Sequence, residues 1–264
     1  MQLFDTHCHL QDPRLLGRIE DVLRRAGEAG VGGMLCCGAE ESDWPQVLDL
    51  ARRFPCVKPA LGLHPLYHAQ RRSGWLERLA GLLRESGAAV GEIGLDHGME
   101  PLDERDQEEV FAAQLRLAVE LDRPVSIHCR RAWGRLAEVL KSVGVPGAGV
   151  ALHTYSGSRE LVPAFIDPGA YVSFSGAITR PSSRRAHEAA RAVPWDRLLV
   201  ETDAPDIMPV TERGKSPEEA NEPANVTYVV RKLAEIRGAT VEEVAARTWE
   251  NACRVFGGKA GLWH

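Results

Sequence analysis

The 264-residue sequence contains no apolar run approaching the roughly 18 residues that a membrane-spanning helix needs, so an integral helical membrane protein is excluded. Its N-terminus shows no basic segment leading into an apolar stretch, and no signal peptide is expected. The six cysteines (Cys8, Cys36, Cys37, Cys56, Cys129 and Cys253) include no C-x-x-C pair. Most lie inside apolar runs and read as buried free thiols of a reducing compartment rather than a disulfide framework. A cytoplasmic location is the expectation. There is no surplus of positive charge either: 37 acidic residues stand against 32 basic ones, a net charge of −5. A protein that grips nucleic acid across a broad face is usually basic, so any such contact here must be local. No glycine-rich phosphate loop follows the first apolar run, which argues against a dinucleotide-binding open sheet.

What the chain does have is a regular alternation. Short apolar runs at 3–9, 31–38, 57–65, 88–96, 123–129, 149–157, 169–176 and 197–205 read as eight strands. Amphipathic stretches separate them, such as 14–30 and 104–122, the second carrying Val110, Phe111, Leu115, Ala118 and Leu121 at helical spacing. Gly27, Gly30 and Gly87 fall where helices should stop. Two further helices are predicted at about 222–237 and 240–256, the last opening on a Thr240/Glu243 capping box. Eight strand-helix units predict a (β/α)₈ barrel with additional C-terminal helices, in one domain over 1–264. A doubly wound sheet is the alternative. The longest irregular stretch, roughly 204–222, follows strand 8.

Functional groups of such a barrel gather at the C-terminal ends of its strands. Strand 1 ends in "DTHCH", where period-two alternation puts His7 and His9 on one face and Cys8 on the other. One H-x-H pair is compatible with two ordinary polar residues at a loop boundary. The other strand ends decide the matter: His64 ends strand 3, Glu92 lies on strand 4, and His128, His153 and Asp203 end strands 5, 6 and 8. Five histidines and two carboxylates facing one mouth are too many for a passive core. His7, His9, Glu92, His128, His153 and Asp203 make six ligands, enough for two divalent ions with Glu92 as the bridge. Two such ions clamp an in-line displacement and bring the pKa of a shared water near neutrality. Asp203 can accept that water's proton. Imidazoles plus carboxylates suit zinc, manganese or magnesium.

Neighbouring cations point to phosphate. Arg130 shares a strand face with His128, and its planar fork matches phosphate oxygens. Arg213 and Lys215, in "RGK", add two more after strand 8. Tyr155 and Ser156 are expected at the mouth beyond His153. By parity Cys8 and Cys129 point away from it, as packing thiols. Asp5 shares parity with His7 but lies deeper, and Glu201 stands in the same relation to Asp203, so both are expected to support the ligands from behind. Arg184 and Arg185 read as a helix face.

The motifs "FDTHCHL", "ALGLHP", "GEIGLD", "SIHCR", "HTYSG", "ETDAP" and "RGK…NEPANV" occur together, in order, over nearly the whole chain. As a set they resemble the TatD-like metal-dependent deoxyribonucleases of the amidohydrolase superfamily. The resemblance implies a barrel with a dinuclear centre: His7, His9, Glu92 and Asp203 for one ion, and Glu92, His128 and His153 for the second. It places His64 near the substrate phosphate rather than among the ligands. It implies a Mg-, Mn- or Zn-dependent nuclease, often acting from the 3′ end of DNA; an unpaired 3′ end is the expected substrate, with His64, Arg130, Arg213 and Lys215 on it, and no obligatory protein partner is evident. The chain departs from the family pattern at His97-Gly98, where an aromatic residue is common after "GLD", and by the insertion 216–220 between "RGK" and "NEP".

The competing reading is a hydrolase of the same superfamily acting on a small ester, amide or phosphoester. Many such relatives bridge their metals through a carbamylated lysine on strand 4. Here strand 4 has no lysine and Glu92 takes that place, which favours the nuclease-like branch. A non-catalytic metal scaffold would leave the open coordination positions without use.

Overall fold

The computed structural model describes residues 1–101, 103–210 and 220–257. Eight parallel strands lie side by side in chain order: β1 (Leu3–Cys8), β2 (Val31–Cys37), β3 (Val57–Leu61), β4 (Ala89–Asp96), β5 (Val125–Arg130), β6 (Val150–Leu152), β7 (Tyr171–Phe174) and β8 (Leu198–Val200). The seam between first and last strand is closed by a Cys8–Ala204 bridge and two backbone bonds, Asp203 N–H to His7 C=O (2.9 Å) and His9 N–H to Ala204 C=O (2.7 Å). The expected barrel is therefore present, and a doubly wound sheet, which would reverse its strand order, is excluded. The seam also locks the H-x-H segment to the "TDAP" segment, which sets His7, His9 and Asp203 side by side.

Two apolar layers hold this frame. Inside the barrel lie Phe4, Leu35, Ala60, Ala89, Ala151, Tyr171 and Leu199. Ala252, Val255 and Phe256, from the last helix (Val241–Phe256), plug that interior from the N-terminal end. Asn251 on the same helix donates to the Trp195 and Leu198 carbonyls and ties the plug to the start of β8. The opposite mouth is left open for polar groups. The larger layer packs the outward strand residues against the helices. The helix Glu104–Leu121 shows how sequence dictates this: Val110, Phe111, Leu115 and Ala118 form its buried stripe, as their spacing predicts. Each fully buried side chain of Leu or Phe size contributes about 1.5–3 kcal/mol. Asp103 caps its first turn by accepting from Asp106 N–H at 2.9 Å.

The predicted helices at 104–122, 222–237 and 240–256 are found, the 222–237 one opening as a short 3₁₀ turn (Pro223–Asn225) before Val226–Arg237. Thr240 Oγ1 accepts from Glu243 N–H at 3.1 Å, the forward half of the capping box. The stretch 14–30 forms two helices, Pro13–Leu16 and Ile19–Glu28, divided at Gly17-Arg18, and Gly27 lies inside the second rather than ending it. Gly30 and Gly87 do terminate helices, both with positive φ.

Two irregularities of register place site residues. Between Asp5, opposite Met34, and Cys8, opposite Cys36, β1 carries one residue more than β2. Between Val90, opposite Val125, and Ile93, opposite Ile127, β4 likewise exceeds β5 by one. The bulges fall at Thr6–His7 and Gly91–Glu92, and bulges re-aim side chains at barrel rims. Period-two arithmetic therefore fails across β1. Asp5 does not share a face with His7; its carboxylate accepts from Thr202 N–H (2.8 Å) and Thr202 Oγ1 (2.5 Å). Burial pushes the Asp5 carboxyl up to about 8.

Candidate metal centre

The open mouth holds a cavity of about 740 Å³, lined by His9, His64, Glu92, His128, His153 and Asp203 among others. Glu92 stands at its floor, 3 % exposed. Its two oxygens face different partners. Oε2 lies 3.3 Å from His7 Nε2 and 3.5 Å from His9 Nε2. Oε1 lies 2.8 Å from His153 Nε2, 3.1 Å from His128 Nδ1 and 3.4 Å from His64 Nε2. Asp203 Oδ1 joins the first set, 3.5 Å from His9 Nε2 and 3.9 Å from His7 Nε2.

Behind each of four imidazoles stands a second polar group. His9 Nδ1 donates to the Cys37 carbonyl (2.8 Å), and a carbonyl can only accept, so the proton is on Nδ1 and the Nε2 lone pair faces inward. His7 Nδ1 lies 2.8 Å from Ser126 Oγ. His128 Nε2 lies 3.2 Å from Asp96 Oδ2. His153 Nδ1 is 3.5 Å from Glu201 Oε1. For His7, His9 and His128 this is how metal-binding histidines are held, one nitrogen to an outer partner and the other free for the ion, whereas His153 Nδ1 faces Glu201 without a hydrogen bond. The inward nitrogens crowd one another, His7 Nε2 to His9 Nε2 at 3.3 Å and His128 Nδ1 to His153 Nε2 at 3.2 Å. Two lone pairs at that separation repel unless a cation lies against them. The donor set thus fits divalent ions, and groups of three such atoms within 4.8 Å occur at His7/His9/Glu92, His7/His153/Asp203 and His64/Glu92/His128.

Protons and ions compete for these nitrogens. Burial works against every charge here, yet the surrounding imidazoles hold the Glu92 and Asp203 carboxyls below the usual carboxylate range. His9, against burial, is raised to about 9 by Asp203 and Glu92, and His153 and His128 are raised by their carboxylate partners. Burial lowers His7 and His64. His64 differs in another way. Its Nδ1 accepts from Leu66 N–H at 3.0 Å, so in the neutral ring the proton is on Nε2. A nitrogen that carries a proton donates hydrogen bonds and does not ligate, although it lies near Glu92.

The remaining expected residues divide. The Arg130 side chain is 56 % exposed at the rim, with Nη1 3.8 Å from Asp96 Oδ2. Ser156 lines the cavity. Tyr155 does not: it is 2 % exposed, packed on Trp133, and its hydroxyl donates to the Ser158 carbonyl. Cys8 lies in the outer layer as parity predicts, and Cys129, packed in that layer too, also borders the cavity. Arg213 and Lys215 lie outside the described residues.

Two acids have parts that sequence reading missed or misplaced. Asp96, four residues beyond Glu92 on β4, stands behind His128 and accepts from Gly98 N–H at 2.7 Å. Its place at the end of "GEIGLD" was the available signal. Glu201 stands behind His153 rather than Asp203. Its Oε1 accepts from Thr154 N–H (2.5 Å) and Thr154 Oγ1 (2.7 Å).

Similarity to known proteins agrees with this geometry. A family model described as TatD related DNase matches residues 4–257. A Bacillus subtilis protein, the uncharacterized metal-dependent hydrolase YabD, is 33% identical over 257 residues, covering 96% of this chain and 98% of that protein. The 3'-5' ssDNA/RNA exonuclease TatD of Erwinia tasmaniensis is 36% identical over 261 residues, covering 96% and 99%. The crystal structure of YjjV, a TatD homologue from Escherichia coli K12, matches with a TM-score of 0.91 at 33% identity, covering 97% of this chain and 98% of that one.

Proposed function

This chain belongs to the TatD related DNase family, and from that premise we propose that it is a divalent-cation-dependent deoxyribonuclease that removes nucleotides from an unpaired 3′ end. The observation that carries the reading is the division of Glu92, each carboxylate oxygen facing its own set of imidazoles. In this reading His7, His9, Glu92 and Asp203 hold one ion, and Glu92, His128 and His153 the other. The bound ions would supply Lewis acidity toward the phosphate and acidify water at neutral pH.

The protein's own groups do the rest. Asp203, 13 % exposed on its side chain, reaches the cavity and accepts the proton of the attacking water. His64 presents Nε2–H, the tautomer that its bond from Leu66 N–H requires, to a phosphate oxygen. Arg130 at the rim neutralises charge that grows on the phosphate as the bond breaks. Arg213 and Lys215, outside the described residues, are assigned to the substrate on sequence alone. A few contacts at one end suffice for an exonuclease, which reconciles the net charge of −5 with a polyanionic substrate. Six free cysteines fit a reducing compartment, and we place the enzyme in the cytoplasm as a single domain needing no protein partner. Among the described residues no helix is long and apolar enough to cross a membrane.

The test is hydrolysis of a 3′-labelled single-stranded oligonucleotide by chelator-stripped protein, with Mg²⁺, Mn²⁺ and Zn²⁺ returned separately and Asp203→Asn as control. Ion-dependent shortening that Asp203→Asn abolishes is the expected result. Absence of cleavage with every ion, in protein that still binds two, refutes the nuclease reading and leaves a small ester or amide as substrate.

A further inference from the structure

The mouth is not evenly charged. On the β1 and β2 side stand Asp12, Glu40 and Asp43, and on the β5 side stands Arg130. Between them, in the loop after β3, lie Leu66 and Tyr67. Leu66 is 48 % exposed, a large aliphatic side chain offered to solvent beside the reaction centre. The Tyr67 ring is half-buried, its centroid 6.3 Å from that of His64. Burial and the charges of Glu40, Asp43 and Asp12, which line the same cavity, push the Tyr67 phenol up.

This loop is held rigidly. Leu66 N–H donates to His64 Nδ1 (3.0 Å) and Tyr67 N–H to the His64 carbonyl (2.9 Å). His68 Nδ1 donates to the Pro65 carbonyl (2.5 Å), and Arg71 grips both oxygens of Asp106 at 2.6 and 2.8 Å. An apolar pair so fixed is a preformed platform rather than a strayed surface residue. The acids beside it differ in what they can still do. Asp12 is taken up by Arg14, and Asp43 Oδ2 by Ala39 N–H and Gln11 Nε2, while Asp43 Oδ1 has no partner among the described residues but is buried out of a ligand's reach. Glu40 has no side-chain partner among the described residues, so its carboxylate is free to accept. A phosphate is repelled there, whereas a flat ring bearing N–H donors is matched.

We propose that Leu66 and Tyr67 form the subsite for the base of the 3′-terminal nucleotide, with Glu40 accepting from its exocyclic amino group, while its phosphate turns toward His64 and Arg130. The proposal rests on the nuclease reading and adds a base-binding pocket to it. Adenine, cytosine and guanine offer the amino group; thymine does not.

The experiment measures kcat/KM for release of the first nucleotide from Mn²⁺-loaded enzyme, on oligonucleotides ending in dC, dT or an abasic sugar. Stacking on an aromatic ring predicts that the abasic end is about tenfold poorer than dT, which stacks without offering the amino group. Tyr67→Ala should lower the dC and dT ends about tenfold and leave the abasic end unchanged, and Tyr67→Phe should keep the wild-type values. A dC-over-dT preference of about tenfold, expected for one hydrogen bond to a carboxylate, should vanish in Glu40→Ala, which has no acceptor on its side chain. Equal kcat/KM for abasic and base-bearing ends in the unaltered protein, a comparison that needs no variant to fold, overturns the base subsite while leaving the nuclease intact. Absence of release from all three ends overturns the nuclease reading and the subsite with it.

Discussion

Asp96→Asn isolates the support behind one ion. Asp96 is 2 % exposed and holds two groups at once, Gly98 N–H on Oδ1 (2.7 Å) and His128 Nε2 on Oδ2 (3.2 Å). Asparagine has nearly the same shape but only one acceptor oxygen. If that oxygen keeps Gly98, the amide NH₂ faces His128 Nε2, and two donors meet. The ring relieves this by moving its proton to Nδ1, the nitrogen 3.1 Å from Glu92 Oε1. That is the nitrogen assigned to the ion. A hydrogen bond to a charged group contributes about 1.5–3 kcal/mol, and loss of an outer partner of a ligating histidine costs about 10–100-fold in metal affinity. The variant should therefore bind its second Mn²⁺ about 10–100-fold more weakly, with the first site, built on His7 and His9, changed by less than about threefold. Isothermal titration of chelator-stripped protein reads both constants, and activity should return at high Mn²⁺. Unchanged affinity at both sites, or an equal loss at both, would refute the reasoning, because the first means that Asp96 does not set the His128 tautomer and the second that the two sets of imidazoles are not separate.

Three further outcomes follow from the same geometry. His64→Ala should lower kcat on an oligonucleotide by about 10²-fold, the scale of one lost transition-state donor, while mass-spectrometric metal content stays at the wild-type value; loss of an equivalent of metal would make His64 a ligand. In the chelator-stripped protein the His9 pKa rises from 6.5 to about 9, through Asp203 and Glu92 acting against burial. The stability this contributes, on the order of 3 kcal/mol, is fully present below pH 6.5 and lost as pH rises through about 9. Thermal melting should show that decline without ions and lose it with saturating Mn²⁺, which takes the proton's place; a flat profile in the stripped protein would contradict it. Gly94 has φ +150°, and a Cβ there would stand 1.9 Å from the His128 carbonyl oxygen. Gly94→Ala should lower Tm by about 4 °C or more, and a Tm within one degree of wild type, measured by calorimetry, would show that β5 yields there freely.

Most of this architecture is legible in the sequence because barrel and site use the same signal. A strand that ends in a histidine announces both its own terminus and a group at the mouth, so His7, His9, His64, His128 and His153 mark the barrel's rim as well as its centre. The parts that escaped have physical reasons. Alternation puts Asp5 on the face of His7 because it cannot register the extra residue at Thr6–His7. Glu201 is found behind a site residue as expected, but behind His153 rather than Asp203, because side chains inside a barrel meet across strands and its partners His153 and Thr154 belong to the β6 end. Asp96 looks like any acid at a loop boundary until His128 is seen against it. Tyr155, two residues beyond His153, turns into the helix layer and packs on Trp133.

The central claim is that Glu92 stands between two ions, one for each oxygen. Anomalous diffraction from a crystal of the Mn²⁺-loaded protein tests it directly. The account predicts two peaks in the mouth, one beside Glu92 Oε2 with His7, His9 and Asp203, the other beside Oε1 with His128 and His153. A single peak at saturating Mn²⁺, or a second one with Glu92 in neither shell, would contradict it.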